Sequence, residues 1–290
     1  MKQIQEKAFA KLNLSLDVTA KRDDGYHELV MLMQTISLAD TLTLTRSDSG
    51  AVTASCSLRF IPTDDRNLAV KAAKAFLAAI DRTGEGVSIA MDKRIPVGAG
   101  MGGGSADAAA VLRGMNRLFG KPLSRRELEA LSAAVGSDVA FCVAGGTALA
   151  KGRGERLEDL RALPSCRFVV VKPDFAISTP ELYRKLDSVP LRRHPDTAGL
   201  LQGIEAGDLN AVCRRMYNVF EDVPDRRMRT VSQLKGALLD YGALGAMMTG
   251  TGSAVFGVFS DDEAAKRACE ALKKEYRFCA CADPVARCEV

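Results

Sequence analysis

The sequence predicts an α+β fold of two domains. Three observations favour it: strand patterns fill the opening, alanine-rich helical patterns follow a glycine-rich stretch near residue 100, and the composition changes near residue 160. A chain of 290 residues, 47% of them hydrophobic, can bury one large core or two modest ones, and its length favours two. We therefore expect an N-terminal domain over residues 1–159 and a C-terminal domain over residues 160–290.

The first domain is expected to begin with strands. Residues 5–22 alternate loosely between polar and apolar side chains and end at an Asp-Asp-Gly turn signal, and residues 28–46 predict further strand. Apolar or alanine side chains recur at helical spacing over residues 64–80, which predicts a helix. Residues 86–100 predict a strand that runs into the glycine stretch.

Three further elements complete the predicted first domain. Residues 105–119 form an alanine- and leucine-rich helix that stops before Lys121-Pro122. Ser124 and Glu127 have capping-box spacing, which predicts a second helix through about residue 135. Residues 136–155 predict a short helical turn and then a strand.

The second domain is predicted to mix strands and helices. Residues 166–174 form a buried strand, and two polar helical stretches follow between about 180 and 240. Residues 245–259 predict two strands around a glycine turn, and residues 262–275 an amphipathic helix.

Composition excludes several classes of function. The net charge of +4 is mild and its charges are interspersed, which argues against a nucleic-acid partner. The chain shows neither a secretory leader nor an apolar run of membrane-spanning length, so we expect no membrane partner and a cytoplasmic location. The eight cysteines form no C-x-x-C pair, which predicts free thiols in a reducing compartment and identifies no metal ligands. A monomer or a homodimer is expected.

The glycine stretch predicts an anion site. Five of the seven residues from Gly98 to Gly104 are glycine, and a predicted helix follows directly. Backbone N–H groups at such a helix start, together with the helix dipole, favour a phosphate group.

Three other interpretations of this stretch are weaker. Gly98, Gly100 and Gly103 match a dinucleotide fingerprint, but no acidic residue closes a second strand about 20 residues later. A P-loop needs lysine after the last glycine, where this chain has Ser105, so Lys93 and Lys11 are the candidates for the missing charge. A flexible linker is disfavoured because a strand and a helix flank the stretch.

Residues 96–110, PVGAGMGGGSADAAA, resemble the phosphate-binding motif of the galactokinase, homoserine kinase, mevalonate kinase and phosphomevalonate kinase superfamily. The blocks AFAKLNLSL over residues 8–16 and MMTGTGSAVFGVF over residues 247–259 agree with it, in the expected order. The resemblance implies an N-terminal ATP domain like ribosomal protein S5, a ferredoxin-like C-terminal domain, and an active site between them.

The block DDGYHEL over residues 23–29 resembles one branch of that superfamily. This branch uses ATP to phosphorylate the 2-hydroxyl of the methylerythritol part of a cytidine diphosphate conjugate, in the non-mevalonate route to isoprenoid precursors. The resemblance implies ATP as co-substrate, and the chemistry implies Mg²⁺. Another kinase of the superfamily, of the homoserine or mevalonate type, is the alternative, and a nucleotide-binding regulator without turnover is a third.

The resemblance also assigns site residues. Lys11 and Asp138 would be catalytic, with Asp138 orienting or accepting the acceptor proton. Asn13 would share a strand face with Lys11 because it lies two residues along, and Tyr26, His27 and Tyr183 would contact the cytosine end. The ATP contacts would be Asn67, Leu68, Lys93, Pro96, Gly98, Gly100, Gly102, Gly103, Gly104, Ser105 and Ala106.

Two positions add expectations of their own. Asp107 lies in the first turn of the predicted helix, where its carboxylate suits the helix dipole but would repel phosphate, so we expect it to face away from the loop. Ala140 stands where many relatives have proline, and we expect a looser turn behind Asp138.

Overall fold

The computed structural model describes residues 3–47 and 49–289, which form eleven strands and nine α-helices. The strands are β1 (Gln3–Lys21), β2 (His27–Ser47), β3 (Val52–Cys56), β4 (Gly86–Asp92), β5 (Thr147–Gly152), β6 (Arg156–Asp159), β7 (Arg167–Lys172), β8 (Tyr217–Asn218), β9 (Gly245–Met248), β10 (Val255–Phe259) and β11 (Phe278–Ala282). The helices are α1 (Leu68–Ala79), α2 (Gly103–Leu118), α3 (Arg125–Ala133), α4 (Val139–Ala144), α5 (Thr179–Leu186), α6 (Thr197–Ala206), α7 (Leu209–Arg215), α8 (Met228–Asp240) and α9 (Asp262–Leu272), with a 3₁₀ turn at Val219–Asp222.

The first sheet is built on the long antiparallel pair of β1 and β2. Its order is β3-β4-β2-β1-β8, while β5 pairs with the first part of β2 and β6 pairs with β5. The second sheet is antiparallel throughout, in the order β11-β7-β10-β9. Buried side chains from both sheets, such as Leu12 and Val170, belong to one continuous hydrophobic core.

Strand β1 is buried on both faces through its centre, over residues 10–18. One face is apolar and belongs to the core, with Leu12 and Leu14 among its members. The other face carries Lys11, Asn13 and Ser15, which are also buried. Burying a row of polar side chains is costly unless each finds a partner, so this face of β1 needs polar neighbours.

The predicted α+β class is confirmed, and most predicted elements are present. The capping box forms as predicted, because the Ser124 side chain accepts from the Glu127 N–H while Glu127 accepts from the Ser124 N–H. The first predicted helix begins later, since the Asn67 side chain caps α1. The glycine-led helix α2 begins earlier than predicted, at Gly103.

The stretch between residues 180 and 240 differs from the sequence prediction. Two helical stretches were expected, and the structure has four α-helices and a 3₁₀ turn there. Asp196 and Asp208 each cap a new helix start, and Gly207 ends α6 in the left-handed conformation, so a continuous helix is interrupted. Strands β3, β6, β8 and β11 were not predicted.

The boundary near residue 160 stays a prediction. Strand β8 lies well beyond that position in the chain, yet it pairs with β1 in the first sheet through Ser15–Tyr217 and Leu16–Asn218. The later part of the chain therefore completes the edge of the earlier sheet.

Candidate active site

A cleft of about 750 Å³ lies between the glycine loop and helix α5. Its walls come from β1, the turn after it, the glycine loop, the start of α4, helix α5 and the segment 250–251. A second cavity of about 390 Å³ follows the other side of the glycine loop, and both cavities include Leu68 and Ser105. The glycine loop therefore lines both cavities.

The glycine loop presents backbone donors to these spaces. Gly98, Gly100 and Gly102 have positive φ angles of 65°, 75° and 68°, a conformation that side chains disfavour. Gly102 is the N-cap of α2, and within the described chain no side chain caps this helix start. The first N–H groups of α2 have no intrahelical partner and are available to an anion.

Position 100 requires glycine for a second reason, besides its positive φ angle. A Cβ atom there would overlap the carbonyl oxygen of Thr249. The loop 249–254 is joined to the glycine loop by two hydrogen bonds, from the Thr249 hydroxyl to the Gly100 carbonyl at 3.3 Å and from the Ala254 N–H to the Ala99 carbonyl at 3.1 Å. On the other side, the Lys11 N–H donates to the Met101 carbonyl at 3.1 Å. The three sequence motifs meet at this point.

Lys11 and Asp138 face each other beside the glycine loop. The Lys11 ammonium donates to the Asn13 amide oxygen at 2.6 Å and lies 3.5 Å from Asp138 Oδ2. A Cβ on Gly102 would lie 3.2 Å from Lys11 Cγ, so the lysine stem passes directly along the loop. Asn13 is completely buried and shares the polar face of β1 with Lys11, as predicted. The Asn13 amide oxygen therefore holds the Lys11 ammonium in place.

Asp138 stands at the N-cap of α4, yet its side chain makes no capping hydrogen bond to the described residues. The side chain is 28% exposed and lines the cleft. The carboxylate is therefore directed at the cleft and is not used to start the helix. Ala140 is buried in the first turn of α4, and the expectation of a looser turn behind Asp138 stays a prediction.

Aromatic side chains line the far end of the cleft. The rings of His27 and Tyr183 stack at 4.7 Å with an angle of 29°, and Phe220 packs its edge against Tyr183. His27 Nε2 lies 2.7 Å from Asp187 Oδ1. Tyr26 is 54% exposed, and the Arg153 guanidinium lies 4.8 Å from its ring centre. Arg153 lies over one face of the Tyr26 ring and His27 over one face of the Tyr183 ring, and Tyr26 is the more exposed of the two tyrosines.

Lys21 and Asp187 form an ion pair at this end of the cleft. A hydrogen bond from Lys21, at 2.5 Å, is the main cause that lowers the pKa of Asp187, with His27 adding to it. Burial raises the pKa of the Tyr183 hydroxyl above its usual range, so this group stays neutral at physiological pH.

Lys93 lies in a buried cluster with two carboxylates. Its ammonium contacts Asp40 and Asp107, and Asp40 also accepts from the N–H groups of Arg94 and Ile95. Burial opposes the charge of Lys93, but Asp107 and Asp40 outweigh it and raise the pKa of the ammonium. Two carboxylates already hold this ammonium, so of the two candidate lysines Lys11 is the better placed to meet a phosphate.

The expectation that Asp107 faces away from the loop is wrong. The Asp107 side chain is buried, lines the second cavity and pairs with Lys93. Burial raises the pKa of its carboxyl to about 7, although Lys93 opposes the shift. Pairing with Lys93 offsets the repulsion that was expected between this carboxylate and a phosphate.

The remaining residues expected at ATP divide into two groups. Asn67, Leu68, Pro96, Gly98, Gly103, Gly104 and Ser105 line the second cavity. Ala106 lines neither cavity: its side chain belongs to the core, and its N–H donates to the Gly102 carbonyl at 2.8 Å. Ala106 therefore closes the first helical turn.

Sequence reasoning missed several residues of this region. Thr249 is buried and its hydroxyl oxygen accepts from the Asn13 N–H at 3.1 Å, and no role was expected for it although it lies in the block 247–259. Asp40, Arg153 and Asp187 were also missed. No role was expected for these three residues, which the fold brings to the site.

Comparison with known proteins places the chain in a family of kinases. Residues 67–146 match the model described as GHMP kinases N terminal domain, and residues 200–277 match GHMP kinases C terminal. A Bacillus velezensis protein named 4-diphosphocytidyl-2-C-methyl-D-erythritol kinase is 45% identical over 271 residues, 93% of each chain. A Brevibacillus brevis protein of the same name is 44% identical over 93% of this chain and 92% of its own length. The chain is an ATP-dependent phosphotransferase and belongs to the GHMP kinase family, in the group of 4-diphosphocytidyl-2-C-methyl-D-erythritol kinases.

Solved structures agree with this assignment. A crystal structure of 4-(cytidine 5'-diphospho)-2C-methyl-D-erythritol kinase, 35% identical, superposes with a TM-score of 0.80 and covers 97% of this chain and 100% of its own. Homoserine kinase from Cytophaga hutchinsonii superposes with a TM-score of 0.78 at 20% identity, covering 99% of this chain and 96% of its own, and shows the shared fold. Within the described residues, no helix has the length and apolar character that crossing a bilayer requires.

Proposed function

We propose that this chain transfers the γ-phosphoryl group of ATP to the 2-hydroxyl of 4-diphosphocytidyl-2-C-methyl-D-erythritol. The observation that carries the proposal is one cleft with two different ends. The Lys11–Asp138 pair and the glycine loop lie at one end, and the aromatic group of Tyr26, His27 and Tyr183 lies at the other. The names of the relatives support the same substrate.

The proposed chemistry uses positioning and charge. The substrate hydroxyl would lie beside Asp138, which orients it and accepts its proton as the new O–P bond forms and the bond to the ADP oxygen breaks. Lys11 would stabilise negative charge on the transferring group, and the N–H groups at the start of α2 would hold the phosphate chain. Asn13 would fix the Lys11 ammonium, to which it is bonded at 2.6 Å.

The donor atoms of the cleft fit Mg²⁺. Mg²⁺ favours oxygen ligands and keeps several waters while it binds one or two carboxylates and substrate phosphates. The Ser105 hydroxyl lines both cavities beside the glycine loop and would hold the ion together with the phosphates of ATP. Bound there, Mg²⁺ would neutralise phosphate charge.

The aromatic end favours a substrate that carries a base. Tyr26 presents an exposed ring of the kind on which bases stack, and a small acceptor such as homoserine or mevalonate needs no such platform. We also infer a reducing, cytoplasmic location, where cysteines stay free thiols, and the structure contains all eight as free thiols.

An acceptor competition tests the proposal. Purified protein with Mg-ATP is offered the cytidine diphosphate conjugate, homoserine or mevalonate, and ADP release is measured for each. We expect turnover with the conjugate alone. Turnover of homoserine or mevalonate instead would refute the substrate assignment, and nucleotide binding without any turnover would favour a regulator.

A further inference from the structure

We propose that Asn218 is a positioning residue for the ATP-binding glycine loop, acting from behind through the loop 249–254. This inference rests on the proposed function, because it assumes that the glycine loop holds the phosphates of ATP. Asn218 does not line the cleft. It lies behind it, at a separate polar cavity of about 280 Å³.

Asn218 is tied to the backbone at both ends of its amide. Its Nδ2 group donates to the carbonyls of Met248 and Gly250, each at 2.8 Å, and its Oδ1 accepts from the Phe220 N–H at 3.0 Å. The side chain is 1% exposed. One side-chain amide therefore holds the residues on both sides of Thr249. Without it, the buried carbonyl groups of Met248 and Gly250 would lose this donor.

A second anchor secures the same segment. Glu221 accepts from the Met248 N–H at 2.7 Å and pairs with Lys235 on α8. Burial is the main cause that raises the pKa of Glu221, which Lys235 opposes. Asn218 and Glu221 lie in one short segment, 218–221, whose first part pairs with β1.

The clamped segment touches the glycine loop directly. The Thr249 hydroxyl lies between the Asn13 N–H and the Gly100 carbonyl, and the Gly100 Cα has no room for a side chain against the Thr249 carbonyl. A shift of residues 248–250 would therefore move Gly100 or break its hydrogen bond. Because a displacement of about 1 Å at a reacting centre can cost roughly 10²-fold in rate, a remote clamp of this kind affects catalysis without touching substrate.

Asn116 provides a matched control. It is also 1% exposed, and it braces a turn through bonds to the Leu123 carbonyl at 2.8 Å and from the Leu123 N–H at 3.0 Å. That turn lies beyond the far end of α2 and lines neither cavity of the active site.

The test compares N218D with N116D. Each replaces an amide donor by a carboxylate oxygen that faces a carbonyl. Calorimetry measures the binding of a non-hydrolysable ATP analogue with Mg²⁺ to each variant. The midpoint of thermal unfolding and kcat/KM for ATP are measured for the same variants. We expect N218D to bind the analogue at least tenfold more weakly and its kcat/KM for ATP to fall by about 10- to 100-fold. The thermal midpoint of N116D should fall by about as much as that of N218D, but N116D should bind the analogue as the wild type does.

Equal analogue binding by N218D and wild type, or equal losses in N218D and N116D, would overturn this inference alone. Wild-type protein that does not bind the analogue would refute the proposed function and this inference with it. If N218D does not fold, N218A removes the donors without adding an acceptor and carries the same comparison against N116A.

A double-mutant cycle identifies the route. T249V removes the hydroxyl that joins Asn13 and Gly100. If Asn218 acts through Thr249, the effects of N218A and T249V on analogue binding will be less than additive, whereas N116A and T249V will add. Additivity in both pairs would show that Asn218 does not act through this loop.

Discussion

Lys11 and Asp138 show how burial prepares single residues for phosphoryl transfer. Lys11 is 4% exposed and bonded to Asn13, so its ammonium is held in one place before substrate arrives. Asp138 makes no capping bond to the described chain and is partly open to the cleft. The pair thus combines a fixed cation with an accessible base, the two groups that transfer to a hydroxyl requires.

Replacing Asp138 by asparagine should remove catalysis and spare nucleotide binding. The variant D138N keeps the shape of the side chain but loses the proton acceptor, so we expect kcat to fall by about 10²- to 10⁴-fold. The affinity for an ATP analogue should change little, because the glycine-loop donors are untouched. Steady-state kinetics and calorimetry measure the two effects, with exposed Asp240→Asn as control. A parallel collapse of ATP affinity would show that Asp138 serves the nucleotide or the structure.

Replacing Tyr26 by leucine should weaken binding of the cytidine substrate alone. The ring is 54% exposed, so its loss should leave the thermal midpoint nearly unchanged. Stacking on a base contributes about 1–3 kcal/mol, so the KM for the cytidine substrate should rise by roughly 5- to 150-fold while the KM for ATP stays constant. Tyr241→Leu, at another exposed tyrosine, is the control. An unchanged KM in Y26L would remove Tyr26 from the substrate site.

At the scale of elements, the glycine loop depends on the loop 249–254 as much as on its ligand. From the sequence alone, the glycines of this loop are explained by a phosphate group that binds to their backbone N–H groups. The structure adds that Gly100 must also admit the Thr249 carbonyl, which comes from the other end of the chain. A glycine required by tertiary contact and one required by a ligand look the same in a sequence.

A pair of glycine substitutions separates the two requirements. Gly100 and Gly120 both have positive φ angles, of 75° and 85°, but a Cβ on Gly120 meets nothing within 4 Å. Gly120→Ala should therefore cost only the left-handed penalty of about 1–2 kcal/mol in unfolding free energy. Gly100→Ala adds the overlap with Thr249, so it should destabilise more and also weaken binding of an ATP analogue. Equal unfolding free energies and equal analogue affinities in the two variants would show that the contact between Gly100 and the Thr249 carbonyl has no effect on stability or on nucleotide binding.

The elements predicted well are those with strong local signals. The capping box of Ser124 and Glu127 and the periodicity of α2 gave helix positions to within about two residues. The elements missed depend on partners far away in the chain: β8 has two residues and exists only because β1 offers an edge. The site follows the same rule, since Lys11 and Gly100 lie in motifs, whereas Asp40 is brought to Lys93 by the pairing of β2 with β4.

At the scale of the whole molecule, the two sheets share their interior. The hydrophobic core is one cluster that includes residues of both sheets, and β8 extends the first sheet from the later half of the chain. Near the C-terminus, Pro284 and Arg287 form bridges to Ile36 and Gly145 of the earlier half. The two predicted domains are therefore joined by strand pairing and by a common core, in addition to the cleft between them.

This shared interior predicts that the protein unfolds in one cooperative step. Separate domains with separate cores would melt independently, whereas a common core couples them. We expect a single calorimetric transition, and an ATP analogue at 100 times its dissociation constant should move the whole transition upward by about 4 °C, since it adds about 2.7 kcal/mol to the unfolding free energy of a chain of this size. The N116A variant, altered away from the cleft, should show the same shift from a lower starting midpoint. Two transitions, of which only one responds to the nucleotide, would show that the halves fold as independent units and that the boundary near residue 160 is a true domain border.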